Sequence, residues 1–191
     1  YLFLDDRSID TVSDLQGKRI ATLDHDKASI TMVRHVGASV VGSSTSNFSG
    51  RFNNGSVDAA YAPAVAYEPL ELYKGLGEDG AILDYTLAQM NFQIIVRRDR
   101  FPDEYVNQVR DYAFSRVDQA YGIIEDAESK VKEKYWMRPT EQERREYNAM
   151  LREVRQQLRE EGEFDETALK LMRGIRCRVE PSRAECARSE G

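Results

Sequence analysis

A strand-to-helix corner constrains this chain more than any other feature. In Phe52-Asn53-Asn54-Gly55-Ser56-Val57-Asp58-Ala59-Ala60-Tyr61-Ala62-Pro63, Gly55 stops a helix, Val57 to Tyr61 reads as a short strand, and Pro63 opens a new helix at its first position. Such a corner aims backbone N–H groups at whatever sits in front of it, and in open α/β sheets ligands bind at the carboxyl ends of strands. The flanking signals alternate in the same way. Lys18 to Leu23 is a strand, and Asp26 is the N-cap of a helix through His35 with Ile30, Val33 and Val36 on one face. Gly37 ends that helix in the left-handed conformation, and Val40-Val41 begins the next strand. The hydroxyl loop Ser43 to Ser46 leads to a helix from about Asn47 to Asn54. The helix after Pro63 is expected to end at Gly75-Leu76-Gly77, with strands at Ala81 to Thr86 and Phe92 to Val96. The fold class is therefore α/β with a mostly parallel sheet.

After Pro102 the pattern changes. From Asp103 to Gly174 β-branched clusters are scarce, charge is dense, and apolar residues recur at helical spacing, so this region is expected to be helical and without strands. Its clearest helix starts at Thr140-Glu141-Gln142-Glu143, a capping box, and carries the stripe Tyr147, Met150, Leu151, Val154 and Leu158. Gly162 stops it. Asp165 caps the next helix, with Phe164 placed to staple onto Leu169. The expected organisation is an α/β ligand-binding lobe over 1–101, a helical segment over 102–176, and a tail over 177–191.

Composition excludes several function classes. With 27 basic against 33 acidic residues and a net charge of −6, nucleic acid is not the expected partner, because phosphate contacts need a concentrated positive surface. No apolar run approaches the roughly 18 residues of a membrane span, so direct membrane insertion is not expected. G-x-S-x-G, H-E-x-x-H and P-loop motifs are all missing, and the two histidines, His25 and His35, leave few choices for a general base. No catalytic residue, metal site or cofactor is expected.

The order Asp14-Leu15-Gln16-Gly17-Lys18-Arg19-Ile20, then His35-Val36-Gly37-Ala38, then the Gly55-to-Pro63 corner resembles the periplasmic solute-binding proteins of tripartite (TRAP) transporters, from about Thr11 to Phe101. The resemblance implies a lobe of the type II periplasmic-binding-protein kind, a small-molecule solute, membrane transporter subunits as partners, and a periplasmic location. It also implies a preceding first lobe and tail helices that pack on it. Tyr1-Leu2-Phe3-Leu4 fits a strand already under way, and the alternative is a complete small α/β protein. A leader pattern of basic, apolar and small residues is not visible in the sequence, although a periplasmic destination calls for a signal peptide.

The resemblance carries over to the ligand site position by position. An arginine that clamps a substrate carboxylate would stand at Ala21, and an asparagine that touches ligand would stand at Ala62. Both groups are missing, so dicarboxylate or sialic-acid binding does not follow. The remaining candidates are Thr22, Asp24, His25, Ser44, Thr45, Asn47, Tyr61 and Tyr67. Tyrosines beside Asp24 suit a neutral or cationic solute, and core packing is the alternative for each. Asp26 reads as a cap and His35 as a partner of its helix dipole. Arg97 and Arg98 offer a second anion contact, with surface ion pairs as the alternative. In an oxidising compartment Cys177 and Cys186, in a non-helical tail turned by Pro181, are expected to pair, free thiols being the other reading. The alternative to a solute binder is a structural or interaction protein built on the same lobe, such as an efflux-associated accessory component.

Overall fold

The computed structural model describes residues 1–89, 94–97 and 99–187. Among these residues six strands form one sheet: β1 (Leu2–Leu4), β2 (Arg19–Leu23), β3 (Ser39–Ser43), β4 (Ala59–Tyr61), β5 (Ala81–Leu83) and β6 (Trp136–Met137), in the order β3-β2-β4-β1-β5-β6. The β2–β3, β2–β4 and β5–β6 pairs are parallel, whereas β1 runs antiparallel to β4 and β5. Because β1 is reversed, its first residues lie at the same sheet edge as the last residues of its neighbours, with Leu2 opposite both Tyr61 and Leu83.

Both faces of the sheet are covered, which explains why β1 is apolar throughout rather than alternating. Leu2 and Leu4 enter one core with Ile20, Val33 and Leu83, while Phe3 enters the other with Ala21, Phe52 and Ile82. The first core is roofed by α1 (Lys27–His35) and α6 (Glu141–Glu160), whose Tyr147, Met150, Val154 and Leu158 are all buried. The second is closed by α2 (Phe48–Asn53) and α3 (Tyr73–Leu76), together with Val131 and Tyr135. His35, in the last turn of α1, pairs with Glu153 of α6 at 3.2 Å, so the dipole position also ties the two roofing helices. At the opposite strand starts, Arg19 and Asp58 form an ion pair between β2 and the entry to β4.

The capping signals are realised in detail. Thr140 Oγ1 accepts from Glu143 N at 3.3 Å, and Thr140 N donates back to the Glu143 carboxylate at 2.5 Å. Asp165 Oδ1 accepts from Ala168 N at 2.7 Å to open α7 (Glu166–Val179). Gly55, at φ +73°, turns the chain out of α2 in a conformation that side chains with a Cβ rarely adopt.

Four expectations are corrected. A strand does occur within 103–174: after a 3-10 turn at Glu133–Tyr135, the connection between α5 (Val117–Ser129) and α6 lays Trp136–Met137 beside β5, and the pairing makes it a strand. Pro63 is the N-cap of a 3-10 turn, Ala64–Ala66, one position before the helical residues, and the chain reaches α3 only after further turns. Of the strand expected at Phe92 to Val96, Phe92 and Gln93 lie outside the described residues; Ile94 to Val96 form no strand, with Ile94 69 % and Ile95 88 % exposed. Cys177 belongs to α7 rather than to a non-helical tail, and it is bridged to Cys186 with the Cα atoms 5.6 Å apart.

The helical region is uneven. Neither α4 (Asp103–Ser115) nor α5 contains a buried residue, and Tyr112, Phe114, Tyr121 and Ile123 are exposed. α5 touches the sheet domain at the Ala64–Ala66 turn. No helix among the described residues is long and apolar enough to cross a membrane.

Candidate functional site

The carboxyl ends of β2, β3, β4, β5 and β6 and the start of β1 share one edge, and two groups of side chains gather there. At the β2–β4 end, the chain leaves Leu23 through Asp24 and His25 to Asp26. Asp26 Oδ1 accepts from Ser29 N at 3.1 Å, and Oδ2 accepts from Ser29 Oγ at 2.6 Å and from Tyr61 Oη at 3.0 Å. Tyr61 Oη in turn accepts from Leu23 N at 3.2 Å. Tyr61 is therefore a strut between β4, the end of β2 and the cap of α1, and burial raises its phenol above the usual tyrosine range. Asp26 is a cap, as its position implies.

Asp24 is exposed, and its N–H donates to Ser43 O at 3.0 Å. Its carboxylate lies over Gly42, where a Cβ would come within 2.3 Å of Oδ1, so glycine is what lets this side chain lie across β3. His25 is exposed beside it. Thr22 is fully buried, and its hydroxyl has no hydrogen-bond partner among the described residues. Ser44 and Asn47 close the loop after β3, with Ser44 N donating to Asn47 Oδ1 at 2.9 Å, and Thr45 is exposed at its tip. Tyr67 stands apart: it is buried in the second core, edge-on to Tyr73 with ring centroids 5.9 Å apart. The structure thus brings Thr22, Asp24, His25 and Tyr61 to neighbouring strand ends, with Ser44, Thr45 and Asn47 beside them on β3, and leaves Tyr67 in the core. Ala21 and Ala62 are buried among apolar residues and present no polar group. Arg97 pairs with Asp99 at 3.1 Å, and Arg98 lies outside the described residues.

The second group was missed from the sequence. Tyr1, Asp84, Glu128, Glu133, Trp136 and Arg138 line an open pocket of about 190 Å³. Strand order explains the convergence. Tyr1 precedes the reversed β1 and exchanges backbone hydrogen bonds with Ala62; Asp84 follows β5, and Arg138 follows β6. Tyr1 Oη donates to Glu128 Oε1 at 2.5 Å, and its ring meets Trp136 edge-on at 5.1 Å. Burial first, then the Glu128 contact, raises the Tyr1 phenol. Arg138 pairs with Glu133 at 2.8 Å and lies 3.8 Å from Asp84. Three carboxylates thus face one guanidinium around two aromatic rings, a surface with surplus negative charge. The one available signal was Trp136, the chain's single tryptophan, in the stretch before the capping box where helical spacing lapses. Among the described residues, no group of three or more His, Cys, Asp or Glu is placed to hold a metal ion.

Chains of known structure share this architecture. A TRAP periplasmic solute-binding protein from Marinobacter aquaeolei VT8, in an apo open form, superposes with a TM-score of 0.67 at 17 % identity over 85 % of this chain and 56 % of that one. Another from Desulfovibrio salexigens, holding orotic acid, gives 0.60 at 14 % identity over 78 % of this chain and 50 % of that one. At such identities the likeness concerns the fold. Sequence relatives are nearer. "Probable solute-binding protein AdeT1" of Acinetobacter baumannii is 40 % identical over 187 residues, covering 98 % of this chain and 62 % of the relative. "Probable solute-binding protein AdeT2" of the same organism is 26 % identical over 183 residues, covering 96 % of this chain and 77 % of the relative. The chain thus spans less than two thirds of the length of the first of these relatives. With the family model "Solute-binding protein AdeT 1/2" matching residues 1–191 throughout, this chain belongs to the AdeT 1/2 solute-binding protein family.

Proposed function

We propose that this chain is the ligand-binding part of a periplasmic solute-binding protein that holds a small neutral or cationic molecule and hands it to a TRAP-like membrane transporter. In this reading residues 1–101 supply the ligand-binding lobe, 102–176 a helical segment packed on it, and 177–191 its tail. The observation that carries it is the pocket between Tyr1, Trp136 and Arg138, open at the strand edge where α/β sheets take ligands. Its three carboxylates disfavour dicarboxylates, and Ala21 and Ala62 offer no polar group to compensate. Asp24, His25, Ser44, Thr45, Asn47 and Tyr61 extend the same edge and are the further solute contacts; Thr22, fully buried, is not one of them.

Trp136 provides a readout, since it is the single tryptophan of these residues and lies in the pocket. Native mass spectrometry of the full-length protein from its source is expected to show a copurified solute that quenches or shifts Trp136 fluorescence on return to stripped protein. Succinate, malate and sialic acid should bind at about millimolar levels or not at all, near −4 kcal/mol. Micromolar binding of any of them would overturn the charge argument. A protein that carries no solute and shows no Trp136 response would favour the interaction-protein reading, which the exposed apolar side chains of α4 and α5 support.

A further inference from the structure

The tail folds back on α6 and α7 around a buried carboxylate. Glu185 is 8 % exposed, and removing a carboxylate from water is costly unless it is paired. Arg176 grips it with two hydrogen bonds, at 2.8 Å to Oε1 and 3.0 Å to Oε2. Arg155 of α6 stands 3.6 Å from Oε2, and Arg183 4.0 Å from Oε1. Arg173 donates two hydrogen bonds to the Glu185 backbone carbonyl, at 3.0 and 2.6 Å. Arg183 also pairs with Glu180 at 2.6 Å, which leaves Arg176 and Arg155 set against the one Glu185 carboxylate, more positive charge than it neutralises. The forked, planar donors of arginine match carboxylate and phosphate alike.

The covalent link sits against this cluster. Cys177 directly follows Arg176, Cys186 directly follows Glu185, and the two are bridged. The bridge therefore holds the gripping residue and the gripped residue together. We infer that the arginines of α6 and α7 form an oxyanion-binding site which the chain fills with its own Glu185, and that the Cys177–Cys186 disulfide is the latch that keeps it filled. Release needs a dithiol reductant: its two thiols become a disulfide, while two electrons and two protons convert the bridge to the Cys177 and Cys186 thiols. With the latch open the tail leaves, and Arg155 and Arg176 remain on their helices to receive a compact oxyanion. This inference is independent of the solute site at the strand edge.

Inorganic phosphate is the probe, followed by calorimetry and by phosphorus NMR line broadening. Oxidised protein is expected to bind it weakly. Protein reduced and alkylated at both cysteines, verified by intact mass, should bind at least about tenfold tighter. Glu185→Gly with the disulfide intact should show the same gain, and adding Arg176→Ala should abolish it. Equal phosphate affinity in oxidised and in reduced, alkylated protein would overturn the latch. A folded Glu185→Gly variant without the gain would overturn the site itself. If that variant does not fold, the reduced, alkylated protein decides alone: a gain upholds the proposal and its absence overturns it.

Discussion

α5 and α6 are both amphipathic helices in the same charge-rich half of the chain, yet only one is part of a core. α6 is the more polar in sequence, EQERREYNAMLREVRQQLRE, but it buries Tyr147, Met150, Val154 and Leu158 against α1 and the sheet. α5, VDQAYGIIEDAES, has the higher apolar share and buries nothing, leaving Tyr121 62 % and Ile123 58 % exposed. The contrast shows that an apolar stripe states a need for a partner without supplying one. The stability of α6 comes from what it covers, since most helical stability in proteins comes from tertiary packing.

Substitutions in the two stripes test this contrast most sharply. Tyr147→Ala should cost about 3–5 kcal/mol by emptying a fully buried site, a fall of roughly 10 °C in Tm by thermal scanning. Tyr147→Phe should be neutral or slightly stabilising, because the tyrosine hydroxyl has no hydrogen-bond partner among the described residues. A large loss from the phenylalanine variant would mean that the hydroxyl, not the ring, anchors α6.

The disulfide comes next. Replacing Cys177 and Cys186 together by serine should cost about 2–3 kcal/mol by chain-entropy reasoning, read in a urea titration. Acid should weaken the same region. The Arg176 contact, and then the charges of Arg155 and Arg183, hold the Glu185 carboxyl below its ordinary value. Its contribution is therefore complete above the unfolded carboxyl pKa of about 4.3 and is lost as pH falls through the lower folded value. Asp58, held down by Arg19, acts with the same sign. Stability that stays flat from pH 5 to pH 3 would show that neither pair contributes to folding.

Smaller effects complete the comparison. Thr140→Ala removes the capping-box hydroxyl that opens α6 and should cost about 1 kcal/mol. Tyr121→Ser on exposed α5 should change stability by less than about 0.5 kcal/mol. If Tyr121→Ser destabilises as much as Thr140→Ala, the α5 stripe is already packed in solution and the contrast fails.

The alternation of elements up to β5 was legible because it rests on local chemistry: Asp26 as a cap, Gly55 and Gly37 at positive φ, and apolar runs of strand length; α6 was legible through its Thr140 cap. The Cys177–Cys186 pair was legible too, given the compartment that family likeness implied. Tyr61 shows where local reading stops. Its place at a strand end was correct, but whether its hydroxyl faces a solute or braces Asp26 depends on a residue 35 positions away. Tyr67 looked like a site residue because it follows the corner, and chain path alone sent it into the core.

Apart from the signal of Trp136, the pocket at Tyr1, Asp84, Glu128, Glu133, Trp136 and Arg138 lies beyond sequence reading, since its members are up to 137 positions apart and meet only because β1 is reversed and β6 pairs with β5. A strand as short as Trp136–Met137 has no periodicity to detect; its neighbour defines it. By itself, then, the sequence determined where elements start and stop and which faces are apolar, because caps, glycines and spacing act over a few residues. The tertiary structure alone decided which apolar faces found partners, which polar groups became struts, and which charges came together, because those outcomes depend on strand order and long-range packing.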